Sequence, residues 1–237
     1  KESKKLVNSL LKINIKHPKI LIKTQDHHYL SFLITIGILI IAGLPLFFIK
    51  PKNKRFYAKE GFVIVGLSWV LMSIFGCLPF IFSKEIPNFF DAFFETVSGF
   101  TTTGASILLD VEKMSKSMLF WRSFTHWIGG MGVLVFILAI LPSSDGQNVQ
   151  FLKAESTGPQ VGKLVSKVRF TARILYLIYF ALTILEIIML LCGGMSFYDS
   201  LLMSFGTAGT GGFGIYNSSA GNFSIYCQIV IGVFMLI

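Results

Sequence analysis

Charge is scarce in this chain, and that scarcity decides its class. Asp, Glu, Lys and Arg make up 14% of the 237 residues, apolar residues 53%, and the mean hydropathy is +0.70. A soluble domain usually carries ~25% charged residues, so a polar-surfaced globule is excluded. Cysteine is sparse too: Cys77, Cys192 and Cys227 all lie in apolar runs. An odd, widely spaced set is neither a disulfide framework nor a zinc site, and reads as small buried hydrophobes. Acidic residues number 12 against 21 basic ones, a net charge of +9. That excess does not point to nucleic acid, because the cations lie in blocks between apolar runs, as membrane topology arranges them. No signal peptide is visible, since the first apolar run is too long for a signal h-region. The chain begins at Lys1 and stops inside an apolar run at Ile237, so it is expected to be a fragment of a longer protein.

What is present is organised around two polar loops between apolar runs. The first is Phe100-Thr101-Thr102-Thr103-Gly104-Ala105-Ser106 and the second Ala208-Gly209-Thr210-Gly211-Gly212-Phe213-Gly214. They belong to an internal repeat, the first thing to seek in a sequence. A gapless shift of 108 residues puts Asn88 on Ser196, Phe89 on Phe197, Asp91 on Asp199, Thr102 on Thr210 and Gly104 on Gly212. Both copies start with a capping residue followed three positions later by aspartate, an acidic variant of a helix N-terminus signal. Both then run through mostly apolar residues into glycine. The spacing predicts two short helices, Asn88 to Ser98 and Ser196 to about Gly206, each feeding a Gly/Thr loop.

Along the chain, residues 1–28 are polar and lysine-rich. His27 and His28 form a lone adjacent pair at a membrane edge and are expected in solvent rather than on a metal. Leu30–Ile49 has no charge and is long enough to cross ~30 Å of hydrocarbon as a helix, with Pro45 expected to kink it. The basic stretch Lys50–Lys59 places the next loop in the cytoplasm by the positive-inside rule. The seven lysines of residues 1–28 then fall on the outer side, against that rule, and we have no physical account of them. Gly61–Phe82 is a second span, Met118–Leu141 a third and Ile174–Cys192 a fourth, with a fifth opening at Phe223. Trp69 lies too deep for an interfacial anchor and suits packing. Trp121 and Trp127 suit either an interface belt or packing, and Gly129-Gly130-Met131-Gly132 close helix approach or bending. The two short helices are too short to cross and are expected to be re-entrant.

Each part of the repeated unit suits a cation path. A helix C-terminus carries about half a negative charge and favours a cation. Glycine permits dihedrals that turn successive carbonyls inward, and carbonyls can replace the water shell of an ion. Neither loop core holds a carboxylate, which favours carbonyl selection of a weakly hydrated monovalent ion over the acidic rings of divalent channels.

The motifs Asp91-Ala-Phe-Phe-Glu-Thr-Val-Ser-Gly-Phe-Thr-Thr-Thr-Gly-Ala105, Trp121-Arg-Ser-Phe-Thr-His-Trp-Ile-Gly-Gly-Met-Gly132 and Ala208-Gly-Thr-Gly-Gly-Phe213 resemble the TrkH/KtrB family of potassium uptake proteins, closer to its TrkH branch. The Glu155-Ser-Thr-Gly-Pro159 turn and the stretch Tyr179 to Glu186 resemble it as well. The likeness covers about residue 29 to the end. It implies an all-α membrane protein with repeated units of span, re-entrant pore helix, filter loop and span, four units around one pore. It implies that Gly104 and Gly212 are the key filter glycines. Thr102, Thr103, Gly104, Thr210, Gly211 and Gly212 would then be the potassium-binding carbonyl donors. The implied organisation is a polar segment at 1–28, an extra transmembrane helix with basic loop at 29–60, a first pore unit at 61–141, a cytoplasmic linker at 142–173, and a truncated second unit at 174–237. It further implies K⁺ as the transported ion, with Na⁺ a second candidate, a homodimer, and a cytoplasmic nucleotide-binding regulatory subunit of the TrkA/KtrA kind.

Three other readings are weaker. Gly209 to Gly214 matches G-x-G-x-x-G, but that fingerprint needs a preceding strand and an acidic residue ~20 positions on, and Asp199 is the last carboxylate in the chain. Arg122, His126 and Glu186 are ionisable residues inside spans and so functional candidates. Structural roles are expected for Arg122 and Glu186: Arg122 reaching the outer interface, and Glu186 paired with Arg122 or bonded to a neighbour. His126 has no nucleophile in a triad arrangement, and the chain is not expected to be an enzyme. The expected function is potassium uptake across the cell membrane by a multi-pass protein; the rival is a non-conducting structural or assembly subunit of a cation transporter.

Overall fold

The computed structural model describes residues 28–48, 58–132 and 161–236. Among these residues the regular structure is helical: α1 His28–Phe48, α2 Ala58–Gly76, α3 Leu78–Phe82, α4 Phe89–Phe100, α5 Lys116–Met131, α6 Val161–Cys192, α7 Phe197–Ala208 and α8 Ile225–Leu236, with one 3₁₀ turn at Val111–Lys113. The segment 1–27, most of the basic stretch, the end of the third expected span and the Glu155–Pro159 turn lie outside the described residues.

Where the expected spans fall on described residues, helices are found, with three differences. The second span is interrupted: α2 ends at Gly76 and α3 restarts after Cys77, with proline in the first turn of the new helix. Pro79 cannot supply the amide that would continue the ladder, so the helix breaks there. Helix α5 stops at Met131, where Gly132 takes a left-handed φ of 64°, a common way for a helix to end. Helix α6 begins at Val161, inside the stretch read as a polar linker. Lysine and arginine are straight-chain residues that cost little in a helix, so a basic stretch does not exclude one.

The windows His28–Pro45 and Arg173–Cys192 are long and apolar enough to cross a membrane. Large apolar side chains such as Leu33, Ile41, Val63, Leu71, Leu177 and Ile188 are exposed along α1, α2 and α6. A polar-surfaced protein rarely leaves so much apolar area uncovered. His28, expected in solvent, is 8% exposed and stands 3.6 Å from a carboxylate oxygen of Glu85.

The two short helices match in detail. Both have 12 residues, about 18 Å of rise, short of a ~30 Å hydrocarbon core. Asn88 caps the first by accepting from the Phe90 amide, 2.9 Å. Ser196 caps the second by accepting from the Asp199 amide, 3.1 Å. Helix α4 packs between α2 and α5, and α7 is embraced by α5, α6 and α8. Helix α5 thus touches both short helices. Close approach is needed there: a Cβ on Gly129 would run into the carbonyl of Phe100. Trp121 and Trp127 serve packing, as the indole of Trp121 donates to the Gly76 carbonyl (2.8 Å) and that of Trp127 to the Thr183 hydroxyl (3.2 Å). The buried core gathers Phe80, Met118, Leu190 and Leu202 with Cys77 and Cys227; Cys192, also expected to be buried, is exposed.

Replacing Ser196 by alanine removes the cap of α7 and should lower stability by about 1 kcal/mol, read as a reduced Tm of the detergent-solubilised protein with an unchanged elution profile.

Candidate functional site

The site is built from the C-terminal ends of α4 and α7 and the loops that follow. Each helix ends in the same hydrogen-bond pattern. The Thr101 amide donates to Val97 O and the Thr102 amide to Gly99 O; 108 residues on, Gly209 donates to Phe205 O and Thr210 to Thr207 O. The chain then enters the left-handed region at matched positions. Thr102 has φ 53° and Thr210 φ 56°, while Gly104 and Gly212 both have φ 74°. Thr103 and Gly211, between them, have no positive φ. A left-handed threonine is strained, roughly 1–2 kcal/mol, so two at equivalent positions mark a backbone held by its surroundings. Alternating handedness sets both loops apart from regular extended chain at matched positions.

The two loops touch. A Cβ placed on Gly104 would collide with the carbonyl oxygen of Gly211, so loop one meets loop two without a side chain between them. Thr103, Thr210 and Gly212 are exposed, and Thr102, Gly104 and Gly211 are half-buried. All six residues singled out in the sequence therefore sit on two loops that meet face to face. The Thr101 and Thr103 hydroxyls are 2.7 Å apart, and the Thr103 amide donates to Ser98 O at 2.9 Å.

Behind the loops lies a polar brace. Arg122 of α5 is 3% exposed and Glu95 of α4 is 1% exposed. Arg122 Nε donates to Glu95 Oε1 at 2.6 Å. The Arg122 partner is thus Glu95, so of the alternatives weighed for Arg122 neither the outer interface nor Glu186 is the one found: α4 packs directly on α5, whereas Glu186, on α6, lines a cavity. Glu95 also accepts from the Ser106 hydroxyl (2.9 and 3.1 Å) and the Ile107 amide (2.9 Å), just past the first loop. Arg122 donates in turn to the Gly214 carbonyl at 2.9 Å, just past the second, and its guanidinium lies 3.6 Å from the Phe213 ring centre. One ion pair therefore fastens the exits of both loops. Glu95 was missed in the sequence, although a carboxylate inside an apolar helix is the same signal that singled out Arg122 and Glu186.

His126, one turn beyond Arg122, is fully buried with its ring edge on Phe213, centroids 4.1 Å apart. A side chain on Gly211 would overlap its ring, and the Thr102 backbone lies beside it. It wedges between the loops.

An outer clasp joins the two repeats again. Asn217 accepts from the Val111 amide (2.9 Å), donates its side-chain amide to Asp110 (2.8 Å) and donates its backbone amide to Glu112 (3.0 Å). The Asn217 amide, and then Lys113 at 3.0 Å, hold the Asp110 carboxyl below its ordinary value of 3.8.

With this geometry in hand, the comparisons are decisive. A family model described as "TrkH: Cation transport protein" matches residues 28–237. The chain belongs to the TrkH family. It is 38% identical over 212 residues to the Trk system potassium uptake protein TrkH of Escherichia coli K12, covering 87% of this chain and 44% of that protein. It is 35% identical over 218 residues to TrkH of Vibrio parahaemolyticus, covering 90% and 45%. The crystal structure of the potassium transporter TrkH from Vibrio parahaemolyticus superposes with TM-score 0.70 at 30% identity, covering 98% of this chain and 47% of that one. The chain thus spans under half the length of these relatives. The family is described as one of cation transport proteins.

Two outcomes follow. Arg122→Met leaves Glu95 buried without its counter-charge and should cost ~3–5 kcal/mol; adding Glu95→Gln should recover part of the loss in a double-mutant thermal-melt cycle. For Asp110, a carboxyl held low when folded contributes stability that is present above its unfolded pKa and is lost as pH falls through the folded one. Hydrogen-exchange protection of the Val111 and Asn217 amides should therefore drop in acid below pH 3.8, and in Asp110→Asn this pH response should be weaker.

Proposed function

We propose that the two loops are two quarters of a potassium selectivity filter, with the carbonyls of Thr102, Thr103, Gly104, Thr210, Gly211 and Gly212 as ion ligands. The observation that carries this reading is the repeated left-handed alternation, Thr102 with Gly104 and Thr210 with Gly212, on loops that meet at Gly104 and Gly211. Carbonyls gathered on one side of two touching strands can take the place of an ion's hydration shell. The C-terminal ends of α4 and α7 feed these loops and add negative potential where the ion would rest. The aspartates of the first turns, Asp91 and Asp199, suit the opposite pole.

In this reading α4 and α7 are re-entrant pore helices and α1, α2, α5, α6 and α8 the flanking spans of a multi-pass protein of the cell membrane. The whole protein passes K⁺ inward, with Na⁺ the competitor to be tested, through a four-fold ring of which this chain supplies two members. It works as a homodimer with a cytoplasmic nucleotide-binding regulatory subunit. The curated relatives named as potassium uptake proteins support the ion and the direction.

The test is rubidium uptake into liposomes holding the full-length protein. Gly104→Asp adds a Cβ against the Gly211 carbonyl and a carboxylate at the ring, and should reduce uptake at least ~100-fold while the protein still elutes as one species, in line with the loss of roughly 3 kcal/mol of ion stabilisation. Uptake that is unchanged in Gly104→Asp would sink the filter assignment, and no uptake by the unaltered protein would favour a non-conducting subunit.

A further inference from the structure

A cavity of about 190 Å³ opens beside the second loop, lined by Gly130, Tyr179, Leu182, Thr183, Glu186, Ala208, Thr210 and Phe234. The first loop contributes nothing to this lining. Glu186 reaches it from the middle of α6, 1% exposed, and its Oε1 has no hydrogen-bond partner among the described residues. Its polar neighbour is the Thr207 hydroxyl, which already gives its hydrogen to the Met203 carbonyl at 2.8 Å. A buried carboxylate oxygen without a donor is costly, and the described part of the site offers it no cation: Arg122 belongs to Glu95.

The other oxygens of the cavity are arranged to accept rather than donate. Tyr179 spends its hydroxyl hydrogen on the Trp127 carbonyl at 3.0 Å. Thr183 spends its own on the Tyr179 carbonyl at 2.8 Å, while taking the Trp127 indole hydrogen at 3.2 Å. Both keep lone pairs free. One negative charge among neutral hard oxygens suits an alkali cation better than a divalent one, which takes more carboxylates. No group of three metal-ligating side chains exists among the described residues. A single water needs only ~10–15 Å³ of such space, so the cavity has room for an ion and part of its hydration shell.

We propose that this cavity is a binding site for a monovalent alkali cation, with Glu186 supplying the charge and the Tyr179, Thr183 and Thr210 oxygens completing the shell. The site is separate from the contact of the two loops and stands whether or not those loops form a filter. Its shared wall, Thr210, means that an ion held there bears on the position of the second loop.

The experiment is thermal unfolding of the purified full-length protein as rubidium chloride replaces choline chloride at constant ionic strength. Two saturable stabilising phases are expected, one lost in Gly104→Asp and the other in Glu186→Gln, each a Tm rise of at least ~3 °C. A rubidium response that Gly104→Asp leaves unchanged, and that Glu186→Gln abolishes, would overturn the filter reading and leave this one intact. A rubidium response identical in Glu186→Gln and the unaltered protein overturns the cavity site. Should Glu186→Gln fail to fold, anomalous scattering from crystals of the unaltered protein soaked in thallium decides: a peak beside Glu186 Oε1 supports the site, and only water or nothing there overturns it.

Discussion

The buried pair of Glu95 and Arg122 is the constraint on which the site depends. Each partner would be expensive alone, since a charge taken out of water must find hydrogen bonds or neutralise. Each also bonds the loops: Glu95 accepts from the Ser106 hydroxyl and the Ile107 amide, and Arg122 donates to the Gly214 carbonyl. The desolvation cost is thereby converted into position. Helix α5 carries Arg122 and His126 between the two short helices, so the element that divides the repeats is also the one that registers them.

Left-handed threonine is the second feature, and it follows from the first. Thr102 and Thr210 adopt a backbone that a free chain avoids. Such strain persists only where surroundings over-determine it. The surroundings are the helix ends, whose last carbonyls take the Thr102 and Thr210 amides, and the brace beyond, which fixes where each loop must leave. Matching φ values at an offset of 108 residues mean that the two halves solved the same problem in the same way.

Much of this was legible in the sequence, for identifiable reasons. The caps Asn88 and Ser196 act locally, through amides two or three residues away, so a local pattern finds them. The six loop residues were found because threonine and glycine between apolar runs have few other uses. What was missed is what depends on which helix lies against which. Arg122 could have faced Glu186 or Glu95 on spacing alone, and only the packing of α4 on α5 decides between them. The span expected at Ile174–Cys192 matches the apolar window Arg173–Cys192, and what composition does not show is that the helix continues back to Val161.

The link between the repeats has a mechanical consequence. Gly214 and Asn217 are near neighbours on one segment, and both are tied to the first half, one through a guanidinium and the other through the 110–112 turn. A segment pinned at both ends has no slack. A displacement of either half would then be passed to the other through this short tether as well as through the seam where Gly104 meets Gly211.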